Sequence, residues 1–195
     1  MVGRPRSFDR DDALKRSLMV FWKHGYDATS IAMLTEAIGI GAPSLYAAFG
    51  DKRALFDEAL GYYAKTYGAF TVRAFQEETS ARAAVERLLR EAAAMFAGKD
   101  HPPGCLVISA ATNCSPQSAS VQKRLKSFRS MTVRALEEKM RNDQSGGALP
   151  PDVDVRALAL FYSAMLQGMS AQARDGASRA ELEAIAEAAL QTWPR

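Results

Sequence analysis

The sequence has no long hydrophobic run and few of the residues that bind metals or form disulfides. Its 195 residues include two cysteines, Cys105 and Cys114, and two histidines, His24 and His101. Two cysteines are too few for a disulfide framework and are typical of a reducing compartment. No carboxylate stands at metal-ligand spacing from either histidine, so we expect neither a metal site nor a cofactor. There is no apolar signal segment or membrane span, so we expect a cytoplasmic protein without a membrane partner.

The sequence also has no large excess of positive or of negative charge. The formal net charge is +3, which permits a polyanionic partner but does not argue for one. Apolar residues make up 48% of the chain and charged residues 24%, which are the proportions of a folded globular protein. At this length the chain can form one large or two small domains with a sizeable core.

Strand patterns are also absent, and the apolar periodicity is helical almost throughout. Glycines, prolines and capping residues divide the chain into about nine helices, and we therefore predict an all-α fold. One long helix is predicted to start near Leu55 and to run to about residue 77. The segment "CLVISAATNC", residues 105–114, is assigned to a helix because no partner strand exists for it. Ser178 and Glu181 form a capping box that begins the last helix.

One stretch, "TSIAMLTEAIGIGAPSLYAAFGDK" at residues 29–52, carries almost no charge. Glu36 is its only charged side chain before Asp51. The stretch follows one short helix and contains two more with a glycine turn between them, which is the layout of a helix-turn-helix. The last helix of such a unit lies in the major groove of DNA, where its first residues contact base edges. Small neutral residues suit that face, while phosphate charge is met from outside the helix.

The residues around this stretch resemble a known family. The segment "FDRDDALKRSLMVFWKHGYDATSIAMLTEAIGIGAPSLYAAFGDKRALFDEAL", residues 8–60, is similar in register to the N-terminal DNA-binding domain of TetR-type bacterial transcriptional regulators. The segments "PPGCLVISAA" and "LQGMSAQARDGASRAELEAIAEAAL" resemble the effector and dimerisation domain of one branch of that family. The resemblance implies a one-component transcription factor that binds double-stranded operator DNA and responds to a small-molecule effector. A repressor is favoured, and an activator is the alternative.

The resemblance assigns DNA contacts to particular positions of this sequence. The implied contact residues within the domain are Thr29, Ser30, Ala42, Pro43, Ser44, Tyr46 and Lys52. Thr29 and Ser30 would cap the second helix and contact phosphate, and Lys52 would hold a phosphate from the next helix. Residues 42–44 would form the base-reading start of the recognition helix, with Tyr46 facing the backbone or a base.

Two positions depart from the family pattern and give more weight to the N-terminal arm. Relatives often carry Lys or Arg at position 42 and His or Tyr at position 48, where this chain has Ala42 and Ala48. Ala42 offers only an apolar contact, such as one to a thymine methyl. The arm sequence "GRPR" suits a narrow minor groove, because Pro5 holds Arg4 and Arg6 extended. A solvated tail is the alternative for these two arginines.

The family's layout also implies a ligand cavity among the later helices. The candidate lining residues are Met95, Phe96, Cys105, Phe128, Met131, Phe161, Tyr162 and Met165, each of which could instead belong to the core alone. Some relatives sense electrophiles through a cysteine near the position of Cys105, so redox sensing is an alternative to ligand release. The plainer interpretation is a small buried hydrophobe. We expect Cys105 and Cys114 to lie on opposite faces of one helix, unable to pair without rearrangement.

The last two helices carry small and apolar faces like those of a close-packed interface. We predict that they pair with a second copy as a four-helix bundle through Leu158, Met165, Met169, Leu182, Ile185 and Leu190. A two-fold dimer would place two recognition helices about one DNA turn apart, roughly 34 Å, and select a near-palindromic operator. The predicted domains are a DNA-binding domain at residues 1–50, joined by a helix from about residue 52, and an effector and dimerisation domain at residues 51–195.

Two other classes of protein compete with this interpretation. An all-helical enzyme could act in the same cavity, but no Ser/His/Asp set or glycine-rich phosphate loop stands out, and we expect no enzymatic activity. A protein adaptor could use the basic series Lys123, Arg124, Lys126, Arg129 and Arg134. We interpret that series instead as the solvated face of a long helix. Neither alternative explains why residues 26–56 follow the DNA-binding pattern.

Overall fold

The chain folds into ten α-helices and one 3₁₀ turn over the residues that the computed structural model describes, 8–110 and 114–194. The α-helices are α1 (Arg10–His24), α2 (Ile31–Ile38), α3 (Ala42–Phe49), α4 (Lys52–Lys65), α5 (Ala69–Glu77), α6 (Ala81–Phe96), α7 (Leu106–Ser109), α8 (Ala119–Ser145), α9 (Val155–Arg174) and α10 (Arg179–Leu190). The 3₁₀ turn Pro116–Ser118 leads directly into α8. No strand occurs in these two ranges, and the all-α prediction is confirmed.

Six helices begin at a residue whose side chain accepts a hydrogen bond from a backbone N–H of the first turn. These capping residues are Asp9, Ser30, Asp51, Ser80, Asp154 and Ser178. Each one satisfies an N–H that has no partner within the helix, which typically contributes about 1 kcal/mol. Ser178 and Glu181 form the predicted capping box at the start of α10.

The single long helix predicted to start near Leu55 is wrong, because residues 66–68 divide it into α4 and α5. The Gly68 N–H donates to the Tyr63 carbonyl with an N···O distance of 2.9 Å. A Cβ at position 68 would lie only 3.1 Å from the Tyr63 ring. A glycine therefore lets the chain turn closely around this ring, and the break accounts for ten α-helices where nine were predicted.

Cys105 and Cys114 do not share a helix, contrary to the prediction. Cys105 immediately precedes α7, which has four residues and ends at Ser109. Of the helix predicted for residues 105–114, the described part is helical only over residues 106–109. The two thiols are free.

Two hydrophobic cores hold the helices together. The first core contains the buried side chains of α1–α4 and is completed by Leu106, Ala110, Val121 and Leu125, which lie in or next to α7 and α8. The second core joins α5, α6, α8, α9 and α10. Cys105 packs against both cores. The first core therefore extends well beyond the domain boundary predicted at residue 50.

None of the described helices is by itself long and apolar enough to cross a membrane. The bent pair α2 and α3 passes that test of length and composition only when the two helices are taken together.

Candidate DNA-binding surface and effector cavity

Helices α2 and α3 form the predicted helix-turn-helix. The two helices are bent by 92° at their junction, which is within the range of such units. Gly39 ends α2 in the left-handed conformation, with φ of +82°, and only glycine adopts this conformation at little cost. Leu34 of α2 and Leu45 of α3 are completely buried. They fix both helices on the first core and leave the outer face of α3 to solvent.

The first half of α3 presents the residues predicted to contact bases. Gly41 precedes the helix without a side-chain capping bond, so no side chain covers the positive end of the helix dipole. Pro43 and Ser44 are exposed and Ala42 is half-buried. Tyr46 is 47% exposed. An aromatic residue this open does not serve the core, which favours the predicted contact between Tyr46 and DNA.

The two hydroxyl residues before α2 have different surroundings. Ser30 is exposed and caps the helix, because its Oγ accepts from the Met33 N–H at 3.1 Å. Thr29 is 1% exposed, and its hydroxyl donates to the Gly25 carbonyl at 2.6 Å. The prediction that the Thr29 side chain caps α2 and reaches phosphate is therefore wrong, since this side chain supports the turn from inside.

The basic residues predicted to contact DNA are Lys52 and the arm residues Arg4 and Arg6, of which the last two lie outside the described residues. The Lys52 Nζ is 4.5 Å from the centroid of the Tyr26 ring and 3.5 Å from the Asp27 carbonyl oxygen. Burial lowers the pKa of Lys52, and the negative charge of Asp27 opposes that shift. The ammonium is therefore held at a fixed place beside the helix-turn-helix.

Arg10 of α1 fixes the end of the recognition helix, a role that the sequence did not reveal. Its guanidinium donates to both carboxylate oxygens of Glu58 at 2.7 Å and to the Ala48 carbonyl at 3.4 Å. It also lies 4.6 Å from the centroid of the Phe49 ring. Arg10 thus joins α1, α3 and α4. No local pattern marks it, because its partners Ala48 and Glu58 are 38 and 48 residues away.

Asp27, in the turn between α1 and α2, connects the helix-turn-helix to the start of α8. Its carboxylate accepts from the Ser115 N–H at 2.5 Å and from the Ser118 hydroxyl. The bond from the Ser115 N–H is the main cause of the lowered pKa of Asp27, and the Ser118 bond adds to it. Arg53 makes a second link by donating to the Ser120 hydroxyl at 2.5 Å. Asp27 and Ser115 are 88 residues apart, so no local signal predicts this link.

A cavity of about 420 Å³ lies among helices α4–α9. Its apolar wall includes Phe70, Val72, Phe75, Phe96, Val107, Met131 and Leu166. Polar groups reach it from Tyr63, Thr71, Gln76, Arg129, Thr132, Ser163 and Gln167. A mostly apolar cavity with a few convergent polar groups, in the range of about 300–1,000 Å³, is typical of a small-molecule site.

Half of the predicted lining residues line this cavity. They are Phe96, Cys105, Phe128 and Met131. The prediction is wrong for Met95, Phe161, Tyr162 and Met165, which pack against the hydrophobic cores. Tyr162 shows the reason, because its hydroxyl donates to the Ala189 carbonyl at 3.3 Å and its ring packs against Phe161 and Trp193. This face of α9 is directed toward α10, and a neighbouring face of α9 reaches the cavity.

The Cys105 thiol is held in the cavity wall. The Tyr63 hydroxyl donates to its Sγ at 3.1 Å, and the Cys105 N–H donates to the Ser170 Oγ at 2.9 Å. Burial raises the pKa of the Cys105 thiol and raises the pKa of Tyr63 well above its usual value. Both groups are therefore neutral at neutral pH, and a neutral thiol is a poor nucleophile.

Arg129 also lines the cavity, although it was predicted to lie on the solvated face of α8. The other four basic residues of that series are exposed, as predicted. The Arg129 Nη1 donates to the Val107 carbonyl at 3.0 Å. The helical period could have predicted this placement. Arg129 follows Leu125 by four residues and precedes Leu136 by seven, so it lies on the same face of α8 as these two buried leucines.

The predicted dimer residues divide into two groups. Leu158, Met165, Ile185 and Leu190 are half-buried at the surface of α9 and α10. The prediction is wrong for Met169 and Leu182, which are completely buried in the second core of a single chain. Small or apolar residues are exposed along one side of α9, namely Ala157, Leu160, Ala164, Gly168 and Ala171. A Cβ at Gly168 would meet nothing within 4 Å, so the helix backbone is open to a close neighbour there.

The histidines do not form a metal site with any described residue. No three His, Cys, Asp or Glu side chains come together to hold a metal ion in residues 8–110 and 114–194. His24 is exposed at the end of α1. His101 stacks on Trp22 with the ring centroids 4.6 Å apart.

Comparisons with known protein sequences match both halves of the chain. The family model described as bacterial regulatory proteins, tetR family, matches residues 13–59. The model described as tetracyclin repressor-like, C-terminal domain, matches residues 81–189. The HTH-type transcriptional repressor ComR of Escherichia coli strain K12 is 42% identical over 98% of this chain and 92% of its own length. The repressor BdcR of the same strain is 28% identical over 94% of this chain and 88% of its own length.

Solved structures of similar proteins extend this result to three dimensions. A cysteine mutant of the TetR family transcriptional regulator CifR, complexed with 26-bp double-strand operator DNA, is 45% identical to this chain. The match covers 98% of this chain and 100% of that one, with a TM-score of 0.93. A putative TetR transcriptional regulator from Rhodococcus sp. RHA1 is 36% identical, covers 94% of this chain and 98% of its own, and has a TM-score of 0.65.

Proposed function

The chain belongs to the TetR family of bacterial regulatory proteins, and from that premise we propose that it is a transcriptional repressor released from its operator by a small molecule. As a member of this family it is a DNA-binding regulator and not an enzyme. The observation that carries the proposal is the uncapped start of α3 together with Tyr46, which is 47% exposed, in a chain similar to a regulator complexed with operator DNA.

In this proposal α3 reads the bases and the surrounding residues hold the phosphates. Residues 42–44 and Tyr46 contact base edges in the major groove. Ser30 and Lys52 contact the phosphates on either side of them. Arg4 and Arg6 follow the minor groove, where extended arginines are attracted to a narrow groove. A partner of this kind places the protein in the bacterial cytoplasm with the chromosome.

The protein acts as a homodimer in this proposal. Small exposed residues on α9, among them Ala164 and Gly168, allow the same face of a second copy to approach closely. Leu160 is 47% exposed on that face, and the half-buried Leu158 and Ile185 lie at the edges of α9 and α10. A two-fold dimer built on α9 and α10 presents two α3 helices to successive major grooves.

The cavity communicates with α3 through α7 and α8. Val107 of α7 and Phe128 of α8 line the cavity, and the connection between those two helices holds Asp27 through Ser115 and Ser118. A ligand that moves α7 or α8 therefore moves the turn in front of α2. In a dimer this changes the separation of the two α3 helices, and a coupling of about 1–3 kcal/mol is typical of such regulation.

A redox repressor that acts through Cys105 is the alternative. The location of Cys105 in the cavity wall would give an electrophile access to it. The raised pKa of the buried thiol argues against this chemistry, because it keeps the thiolate scarce. We therefore favour a ligand that binds without forming a bond, and release by that ligand should persist in the Cys105→Ser protein.

The proposal is tested by selection from random double-stranded DNA with the purified protein, followed by sequencing of the bound pool. We expect a near-palindromic site with half-sites about one helical turn apart. A Tyr46→Ala, Lys52→Ala double variant with an unchanged circular dichroism spectrum serves as control and should not enrich this site. Failure to enrich any sequence at low salt, both before and after refolding that strips bound ligand, would contradict the proposed function. Enrichment of a single asymmetric half-site would contradict the dimer.

A further inference from the structure

The cavity contains the positive charge of Arg129, which has no negative partner among the described residues. The Arg129 guanidinium makes a single hydrogen bond within residues 8–110 and 114–194, from its Nη1 to the Val107 carbonyl. Burial is the main influence on the pKa of Arg129, the titratable neighbours that oppose it are the thiols of Cys105 and Cys114, and no carboxylate is among them. In the sequence, residues 111–113 are Ala, Thr and Asn and contain no acid. Most of the five N–H donors of this arginine therefore have no partner in the described part of the chain and can bind another molecule.

The groups around Arg129 do not neutralise it. Burial raises the pKa of Cys105 and of Tyr63, so both are uncharged at neutral pH. Thr132 and Ser163 are also neutral. Burial lowers the pKa of Arg129, but an arginine side chain stays protonated in proteins. A half-buried cation without an ionic partner is costly to the folded protein, and an anion bound beside it removes part of that cost.

The rest of the cavity selects an apolar molecule. Phe70, Phe75 and Leu166 form much of the wall. Val72 and Met131 also line the cavity and are 51% and 62% exposed, so the cavity opens to solvent between α5 and α8 past two apolar side chains. This combination of an apolar entrance and an unpaired cation suits a molecule with one charged end.

We propose that the effector is a hydrophobic monocarboxylate, with its carboxylate paired to Arg129 and its aliphatic or aromatic body in the apolar part of the cavity. A carboxylate matches the planar guanidinium and can accept two parallel hydrogen bonds from it. One unpaired arginine balances one negative charge, which favours a single carboxylate. The cavity volume of about 420 Å³ lies toward the small end of the range for ligand cavities, which favours a small ligand. The inference rests on the proposed function, because it identifies the class of molecule that would release the operator.

The test compares acids with alcohols of the same carbon skeleton. The probes are octanoate with 1-octanol and 4-phenylbutyrate with 4-phenyl-1-butanol, titrated calorimetrically at pH 7.5 into the full-length protein. We expect at least one acid to bind about 10- to 100-fold more tightly than its alcohol, which is the effect of hydrogen bonds to a charged group. In the Arg129→Gln protein the acid should lose this advantage, while the alcohol should bind as before.

Arg134→Gln is the matched control. Arg134 lies on the same helix, is exposed and does not line the cavity, so this variant should keep the preference for the acid. The inference is overturned if neither acid binds the wild-type protein more tightly than its alcohol, or if folded Arg129→Gln keeps the preference. If Arg129→Gln does not fold, Arg129→Lys replaces it. That variant keeps the charge without the planar fork and should retain only part of the preference.

Operator binding distinguishes failure of this inference from failure of the proposed function. A wild-type protein that binds its selected operator, but binds neither acid better than its alcohol, refutes only the carboxylate. A protein that binds the acids through Arg129 but no DNA refutes the repressor and leaves the cavity assignment in place.

Discussion

The link between Asp27 and the start of α8 gives a prediction in which the charge itself is tested. Asp27→Asn keeps the size of the side chain and one acceptor oxygen. It removes the negative charge of the carboxylate that accepts hydrogen bonds from the Ser115 N–H and the Ser118 hydroxyl. Hydrogen bonds to charged groups contribute about 1.5–3 kcal/mol in buried positions. Asp27 is only half-buried and asparagine retains part of the bonding, so we expect the free energy of unfolding to fall by about 1–2 kcal/mol at pH 7.

The pH dependence of this loss has a definite sign. The pKa of Asp27 is lower in the folded protein than its usual value, chiefly because the Ser115 N–H binds the charged form. A carboxylate with a lowered pKa stabilises the protein fully above its unfolded pKa of about 3.9. That contribution is lost as the pH falls through the folded pKa. The difference between the wild type and Asp27→Asn should therefore be greatest at pH 5–7 and should shrink toward pH 3.

Urea unfolding at equal protein concentration, measured at several pH values between 7 and 3, gives the loss in free energy of unfolding and its dependence on pH. Asp152→Asn is the control, because Asp152 is exposed and has no hydrogen bond or ion pair in the described part of the chain. The reasoning is refuted if Asp27→Asn lowers the free energy of unfolding at pH 7 no more than the control does. It is also refuted if the loss is the same at pH 3 as at pH 7.

Three further predictions concern α3, the loop before α7 and the exposed face of α9. Tyr46→Ala should weaken operator binding about 10- to 100-fold, as expected for a lost base contact, without lowering the melting temperature; unchanged fluorescence anisotropy titrations would remove Tyr46 from the interface. Gly104→Ala should lower the free energy of unfolding by about 2–4 kcal/mol, because φ is +79° and the new Cβ would lie 2.7 Å from the Ser170 carbonyl oxygen. Gly176→Ala, with φ of +99° and open space around it, should cost less in urea unfolding, and equal losses would mean that the contact with Ser170 is unimportant. Leu160→Glu should leave the fold intact and yield a monomer in sedimentation, whereas a dimer that persists at micromolar concentration would place the interface elsewhere.

Local signals predicted the helical frame of the N-terminal domain well. Gly25 after α1 and Gly39 after α2 mark the ends of those helices within one residue, because positive-φ turns at helix ends depend on adjacent residues. The start of α4 was predicted near Leu55 and lies three residues earlier, at Lys52. The break at residues 66–68 was missed for the opposite reason. It depends on the packing of Gly68 against the Tyr63 ring, and the apolar pattern continues through it.

The candidate sites were harder to predict, because an apolar pattern does not say which neighbour it faces. Met169 and Leu182 have the spacing of interface residues, yet they fill the core of one chain. Tyr162 has the composition of a pocket residue and packs against α10 instead. Arg129 was interpreted from its charge, which suggested solvent, although its helical position between Leu125 and Leu136 indicated the interior.

The first hydrophobic core sets a rule for exchanging DNA specificity between members of this family. Suppose that a chimera takes only the residues up to about 50 from this chain. It would then lack Leu55, Phe56 and Leu60 of α4, along with Leu106 and Leu125, all of which are buried in the first core. The transplanted α1–α3 would then rest on a foreign surface, with mismatched volumes of the kind that cost about 1–3 kcal/mol each. Changing only the exposed residues of α3 would alter the target sequence without crossing that core. A transplant of the larger unit would have to carry α4 and the buried positions of α7 and α8 with it.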